Sequence, residues 1–444
     1  MKIKLDKGFD VPIANLPEQV IDPGPSLSTL AMLGTDYLGL KPKVLVQPGQ
    51  VVAAGEPLFL DKHNPEVNYS APGTGRVVAV NRGRRRALQS IVIELDETAA
   101  VEHSFEPVLS NDPAVIRKLL LQSGAWTSFR TRPFNRVPKA TSNPCAIFIT
   151  AVDTRPLAAD PNLVIAQGLQ QFEKGMEIIA QFGQRPVFLC TGADWPAPEP
   201  SLQGVKRVEF SGPHPAGLPG THIHFLNPAG AERTVWHINY QDVIAIGHLF
   251  ETGRILTERI VSVGGPGALN PRLLRTRLGA NLDELLKNEI DPAHSYQIIS
   301  GSVLDGSLTQ QDTPFLRRYD NQVSLLADQT TPRWFDWLRV GADKVQFSKL
   351  LNLTQHQRYE LSTARNGRRV AMIPTDAFER VMPLDILPVP LLRALLVRDT
   401  DVGRALGCME LAEEDLALIS FVCPAKQDYG AVLRANLDQI EKEG

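Results

Sequence analysis

The chain has 444 residues, 43% of them hydrophobic and 21% charged, and a net charge of −3. That length makes about three compact units, and the near-neutral balance excludes a whole-molecule attraction to nucleic acid or anionic lipid. No stretch supplies the roughly 20 apolar residues of a membrane helix, and the start MKIKLDKGFDVP lacks the apolar run of a signal peptide, so any work at a membrane is expected to depend on other chains.

In chain order, Val44–Leu58 and Ser70–Val80 set short β-branched runs between glycines, the pattern of a small all-β unit. The spacing V-x-x-G-x-x-V-x-x-G-x-x-L, followed by A-P-x-x-G-x-V, resembles the biotinyl/lipoyl hybrid sandwich. Lys62 falls in the joining hairpin but lacks the Met-Lys-Met of biotin carriers, so it is expected to stay unmodified. Arg82-Gly83-Arg84-Arg85-Arg86 reads as a hairpin tip, either a solvated turn or a contact for an acidic partner.

From Pro113 the pattern becomes α/β. Residues 113–123 form an amphipathic helix ended by Gly124, and Cys145–Val152 is a buried strand. Residues 162–182 form a helix with Ile165, Leu169, Phe172, Met176 and Ile179 at core spacing. Pro186–Cys190 and Arg207–Phe210 are further strands, giving a Rossmann-like parallel sheet. Ser211–Ala231, rich in Gly, Pro and His, reads as a loop system. A metal could use His222 and His224 if that stretch were a strand, but backbone hydrogen bonding is the expectation, since no third ligand is near.

Arg259–Val263, Leu278–Leu286 and Tyr296–Val303 suit a β-grasp unit. Residues 311–360 alternate weakly and suggest no placement. Helical signals dominate the end, at 387–398, 401–411, 413–421 and 428–442. The expected class is α/β multidomain. Residues 1–105 hold the N-terminal segment and hybrid sandwich, 106–256 a degenerate Rossmann-like domain, 257–330 the β-grasp unit, and 331–444 a mainly helical domain.

No Walker loop and no G-x-G-x-x-G occurs. Read as the loop leading into the first helix of the Rossmann-like region, Ser123–Lys139 holds one glycine and several bulky side chains, so its backbone could not approach a pyrophosphate past Trp126 and Phe129. The same segment interleaves aromatic and cationic residues. Trp126, Phe129 and Phe134 could enclose a flat quinone ring, with Arg130 and Arg132 donating to its carbonyl oxygens. The competing reading is a core aromatic set with a basic rim or a contact between chains. Cys145, Cys190, Cys408 and Cys423 lie far apart and form no C-x-x-C pair, which points to reduced thiols and against a structural zinc or a four-iron cluster. Paired acids such as Glu413-Glu414-Asp415 read as a helix start.

Several segments together resemble one family. Lys7-Gly-Phe-Asp-Val-Pro-Ile-Ala14, Ser90-Ile-Val-Ile-Glu94, Arg130-Thr-Arg-Pro-Phe134, Gly212-Pro-His-Pro-Ala-Gly217, Asn239-Tyr-Gln-Asp-Val-Ile244, Glu379-Arg-Val-Met-Pro-Leu-Asp385 and Phe421-Val-Cys-Pro424 are similar to the NqrA subunits of the Na⁺-translocating NADH:quinone reductases (Na⁺-NQR), over essentially the whole chain. The resemblance extends to the RnfC component of the Rnf complex and the NADH-binding flavoprotein of complex I. Those relatives have a glycine-rich flavin loop where this chain has Trp126–Lys139. Against the C-x-x-C-x-x-C-x-x-x-C-P of the Rnf component, Cys423-Pro424 keeps the last cysteine, while Glu413, Leu416 and Ile419 stand in place of the other three.

The resemblance implies a peripheral subunit on the cytoplasmic face of the bacterial inner membrane, supporting quinone reduction coupled to Na⁺ export. It would hold no redox cofactor, since flavins and iron–sulfur are expected in partner subunits, and ubiquinone is the implied substrate. Its implied partners are the other subunits, the membrane-embedded ones above all, and not nucleic acid. A pure assembly role without a ligand site, and a flavin-dependent NADH dehydrogenase, are the alternatives.

Overall fold

The glycine-punctuated segments fold as two small facing sheets. One pairs Thr29–Leu33, Leu88–Leu95, Gly75–Arg82 and Val51–Val52, and the other pairs Pro42–Val44, Pro57–Asp61 and Asn64–Ser70. Gly49 and Gly55 both stand at φ 92, a turn conformation that a Cβ disfavours. Val52, Leu58, Phe59, Val67, Val77, Ile91 and Ile93 are fully buried in the core of this unit. Ile91 and Ile93 alternate along their strand, while a register irregularity in Pro57–Asp61 buries the neighbours Leu58 and Phe59. Lys62 is exposed in the hairpin between Pro57–Asp61 and Asn64–Ser70. This computed structural model describes residues 1–444 except 97, 99–102, 107–111, 184, 198, 292–293, 311, 329–357, 365–369 and 444; much of the weakly alternating stretch 311–360 thus lies outside the described residues.

The second unit is a doubly wound sheet. Its parallel strands Ile147–Ala151, Val187–Thr191, Val205–Ser211 and Val235–Asn239 lie in the spatial order third, second, first, fourth. The first is buried at every position, as expected of a strand covered on both faces. Antiparallel Arg130–Arg132 closes the edge beside the fourth strand.

Several elements differ from the expectations. The helix read over 162–182 leaves helical geometry at Gly168, giving Pro161–Gln167 and Leu169–Gly183. Within the expected loop 211–231, Pro219–Leu226 is a helix, with Pro219 in its first turn, where a missing N–H costs nothing. Dense Pro and Gly around it disguise the helix in the sequence. Strand Val235–Asn239 and helix Tyr240–Thr252 give the fourth parallel strand and its helix, neither of which was expected.

Helices Leu169–Gly183 and Tyr240–Thr252 cover one face at glycine contacts. A Cβ on Gly175 would lie 2.1 Å from the Val243 carbonyl oxygen, and one on Gly247 would lie 1.8 Å from that of Gln171.

The third unit is a mixed sheet in the order Ser307–Leu308, Tyr296–Ser300, Gln322–Ala327, Glu258–Gly264, Arg272–Arg277, Glu18–Pro23. It packs on the short helix Leu282–Leu285 through Val261, Leu274, Leu282 and Val323. The carboxy-terminal part is helical, with Asp376–Val381, Pro388–Val397, Thr400–Ala405, Ala417–Val422 and Tyr429–Glu443. Leu416, Ile419 and Cys423 pack in its apolar core, with Cys423 Sγ 3.5 Å from Tyr429 Oη; Glu413 instead pairs with Arg434.

The amino-terminal segment joins three of these parts. Lys2–Lys4 extends the parallel sheet beside Val205–Ser211. Phe9 stacks on Phe421, and Val11 lies in the helical core. Glu18–Pro23 then lengthens the third unit's sheet.

Candidate functional site at the ridge of the parallel sheet

The strand order reverses between Ile147–Ala151 and Val235–Asn239, and in open α/β sheets ligands bind beyond the carboxyl ends of the strands at such a switch point. A cavity of about 340 Å³ lies there, lined from the sheet by Thr150, Asp153, His237 and Asn239. Gly301, Asp305 and Arg317–Gln322 of the third unit cover it, and Glu413 and Glu414 of the helical part reach its wall.

The loop that leads from the first parallel strand into a helix is 152–160, holding Asp153 and Arg155 and no glycine. Ser123–Lys139, read from the sequence as that loop, instead follows helix Pro113–Ser123 and enters the antiparallel edge strand. At the true ridge, both helix N-termini are capped from within the chain. Asp160 Oδ1 accepts from Asn162 N at 2.9 Å, and Asn239 Oδ1 accepts from Gln241 N at 2.9 Å. These side chains stand where a phosphate would otherwise meet free N–H groups.

Most cavity charges are paired. Arg155 Nε donates to Asp305 at 3.1 Å and Nη2 to Glu414 at 3.0 Å, beside Asp153. Asp242, in the first turn of helix Tyr240–Thr252, accepts from Arg259 at 2.7 Å and Arg318 at 3.0 Å. Burial raises the Asp242 pKa, but those two cations outweigh it, and the group ends below the ordinary carboxylate range. Arg130 is the exception. Its guanidinium lies 4.5 Å from the centre of the Tyr319 ring, a cation–π contact. It makes no salt bridge or hydrogen bond to a carboxylate among the described residues, and Glu414 acts on it only through space. Burial lowers its pKa, yet an arginine keeps its charge at neutral pH. Beside it, His237 is held neutral by burial and then by Arg130, Arg132 and Arg155. Its Nε2 lies 3.0 Å from Arg132 Nη1 and 3.3 Å from Asn135 Oδ1; arginine only donates, so toward Arg132 the ring nitrogen is an acceptor.

A smaller cavity of about 80 Å³ shares Asp36, Ser128, Asp242, Arg259 and Arg318 with the first. Its other walls are largely apolar, with Leu33, Ile246, Leu249 and Leu256 among them. Tyr37 Oη and Ser70 Oγ belong to residues lining it, and both are buried without a hydrogen-bond partner among the described residues.

The five residues singled out from the sequence separate here. Trp126 and Phe129 are fully buried and form one aromatic core with Phe182 and Trp236, with Trp126 centroids 5.4 and 5.3 Å from those two rings. Trp126 Nε1 donates to the Pro138 carbonyl at 2.8 Å. Neither aromatic ring is open to a ligand. Arg132, also fully buried, donates to Glu414 at 2.8 Å and Asn135 at 2.7 Å. Phe134, at φ 75, packs against the helical core, and its carbonyl accepts from Arg434 Nη1 at 2.9 Å. Arg130 alone of the five lines the ridge cavity. Strand alternation puts Arg130 and Arg132 on the same face and so does not separate them; the cap of Glu414 and Asn135 closes over Arg132 and not over Arg130.

Sequence reading missed Asp153, Arg155, Asp242, Arg318 and Glu414 as cavity residues. Only the ridge position of 152–160 could have flagged the first two. His222 Nε2 contacts the Ala216 carbonyl at 3.0 Å and His224 Nε2 accepts from Asp385 N at 2.9 Å, as expected of backbone-bonded histidines, and His224 Nδ1 also lies 2.8 Å from Glu410. Among the described residues, no three His, Cys, Asp or Glu side chains converge as a metal site.

Three domain profiles match the chain: the NqrA N-terminal barrel-sandwich hybrid domain over residues 3–96, the NqrA second alpha/beta domain over 111–255, and the NQRA C-terminal domain over 260–311. The NqrA subunit of the Na⁺-translocating NADH-quinone reductase of Pseudomonas aeruginosa is 47% identical over 450 residues, covering 100% of both chains. The proteins of the same name from Actinobacillus pleuropneumoniae and Neisseria gonorrhoeae are 46% and 45% identical, again over 100% of both chains.

The chain belongs to the NqrA family of Na⁺-translocating NADH-quinone reductase subunits. The NqrA sequences that it matches are named as parts of an oxidoreductase. In this NqrA family member, no helix among the described residues is long and apolar enough to cross a membrane.

Proposed function

We propose that the chain is a peripheral subunit of a Na⁺-translocating NADH:ubiquinone oxidoreductase on the cytoplasmic face of the bacterial inner membrane, contributing to ubiquinone binding and holding no redox cofactor. Its partners are the other subunits, the membrane-embedded ones foremost, which carry the flavins and iron–sulfur. The observation that carries the quinone reading is Arg130, a cation in direct contact with no carboxylate among the described residues, poised over Tyr319 in the ridge cavity. A guanidinium donates to a quinone carbonyl oxygen, and the ring can lie along the tyrosine face. The adjoining apolar cavity offers the ring substituents a dry wall, and its unpartnered Tyr37 and Ser70 hydroxyls can donate to a second oxygen. Against a flavin or nicotinamide nucleotide stand the two capped helix N-termini and the carboxylates Asp153 and Asp242, which repel phosphate.

Calorimetric titration of the full chain with a short-tailed ubiquinone tests this. Saturable binding is expected, weakened roughly tenfold or more in Arg130→Met, the usual worth of a hydrogen bond from a charged donor. A folded chain that binds no quinone would leave the second reading, a protein serving assembly alone. That reading is favoured by the placement of Trp126, Phe129 and Phe134 in packed cores.

A further inference from the structure

The hairpin tip between strands Gly75–Arg82 and Leu88–Leu95 takes no part in the ridge cavity. It carries Arg82, Arg84, Arg85 and Arg86, all exposed, on a chain whose net charge is −3. None of the four meets a carboxylate among the described residues. The turn is nonetheless ordered by its own hydrogen bonds. Gly83 N donates to Ala87 O at 2.9 Å, Ala87 N to Arg84 O at 3.2 Å, and Arg82 Nη1 to Arg86 O at 3.3 Å. Arg85 and Arg86 stand at φ 54 and 59, a left-handed conformation that side chains disfavour. The tip therefore gathers like charges on a backbone unfavourable to them, with no carboxylate of the described residues to neutralise them.

The exposed Val78 and Arg76, with Val51 paired to Arg76, lie back along the sheet. They stand four to six residues from Arg82 and so roughly 13–20 Å away. Arg76 faces Glu94 and donates to Gly49 O at 2.9 Å; the charge is therefore concentrated at the tip itself. Arginine forks fit phosphate oxygens in pairs, and a cluster of four exposed arginines is complementary to a layer of anionic headgroups.

We propose that this tip rests on anionic phospholipid headgroups, giving the chain a direct contact with the bilayer surface beside whatever its partner subunits provide. The sources of charge are separate from the ridge cavity, so this contact stands or falls independently of quinone binding.

Co-sedimentation of the full chain with phosphatidylethanolamine vesicles, made with and without phosphatidylglycerol, tests the proposal. Binding is expected only with phosphatidylglycerol and should fade as salt screens the charges. At about fivefold in partitioning per arginine, the R84Q/R85Q/R86Q variant should bind roughly a hundredfold more weakly. Its circular dichroism and melting temperature should match the parent, because the three side chains are exposed. Failure of the parent chain to bind phosphatidylglycerol vesicles would overturn the proposal, as would equal binding by the variant. A variant that binds vesicles like the parent but no longer assembles with the partner subunits would assign the tip to an acidic protein surface instead.

Discussion

Arg132 is a cation with no exposure, held by Glu414 at 2.8 Å, Asp415 at 3.7 Å and Asn135. Such a group is stable only while its partners remain, because a stranded buried charge costs about 3–5 kcal/mol. Arg132→Met should lower unfolding free energy by about that much in urea titration, and adding Glu414→Gln should recover part of the loss. A second residue sets a pH dependence. Asp320 is pushed up to about 6, chiefly by burial and against the pull of Arg317. The folded chain thus keeps a proton that the unfolded chain releases near pH 4, so this group lowers stability as pH rises from about 4 through about 6. His214 and His222, held neutral to about 3 by burial, act the opposite way and cost stability as pH falls below about 6.5. The difference between Asp320→Asn and the parent isolates the first effect: Asp320 opposes the rise that the two histidines give, so the variant's urea midpoint should pull ahead of the parent's by a growing margin from about pH 4 to about pH 7. Little of this was legible. Glu413-Glu414-Asp415 does begin a helical turn, as its composition suggests, but no local signal shows that Glu414 faces Arg132 and Arg155 from the far end of the chain.

Helices Leu169–Gly183 and Tyr240–Thr252 meet where Gly175 and Gly247 leave room only for hydrogen. The obstructing atoms are backbone carbonyls, which cannot rotate away. Gly247→Ala should therefore push the helices apart and cost about 1–3 kcal/mol, read as a lower melting temperature. Because Asp242 sits in the first turn of the displaced helix and holds Arg259 and Arg318, any quinone affinity should drop in the same variant. The first helix was visible from Phe172, Met176 and Ile179 at core spacing. Its partner was not, since Tyr240–Thr252 follows Val235–Asn239, a strand of only five residues with His237 and Asn239 breaking the apolar run. Proline in a first helical turn likewise disguised Pro219–Leu226 as loop. Periodicity reports long elements well, and short ones made by tertiary contact poorly.

Across the whole molecule, Arg155 links three parts through Asp153, Asp305 and Glu414, and the amino-terminal segment links three parts through backbone pairing and packing. Deleting residues 1–13 removes a sheet edge together with Phe9 and Val11 from the helical core. Amide exchange should then quicken in helices Ala417–Val422 and Tyr429–Glu443 while strands Gly75–Arg82 and Leu88–Leu95 keep their protection; uniform protection would show that the segment adds nothing. The multidomain α/β class, with a hybrid sandwich near its start and helices near its end, was readable from the glycine spacing and the strand-helix alternation, because those signals are local. The threading of the segment was not, since MKIKLDKGFDVP carries neither strand length nor apolar excess. That threading also orders events during synthesis. Lys2–Lys4 is made long before Glu209–Ser211, and Glu18–Pro23 before Arg272–Arg275, the residues that complete their ladders. At ordinary elongation rates, both strands wait on the order of ten seconds or more outside the ribosome with unpaired edges, so the nascent chain is a natural client for chaperones that shield extended backbone.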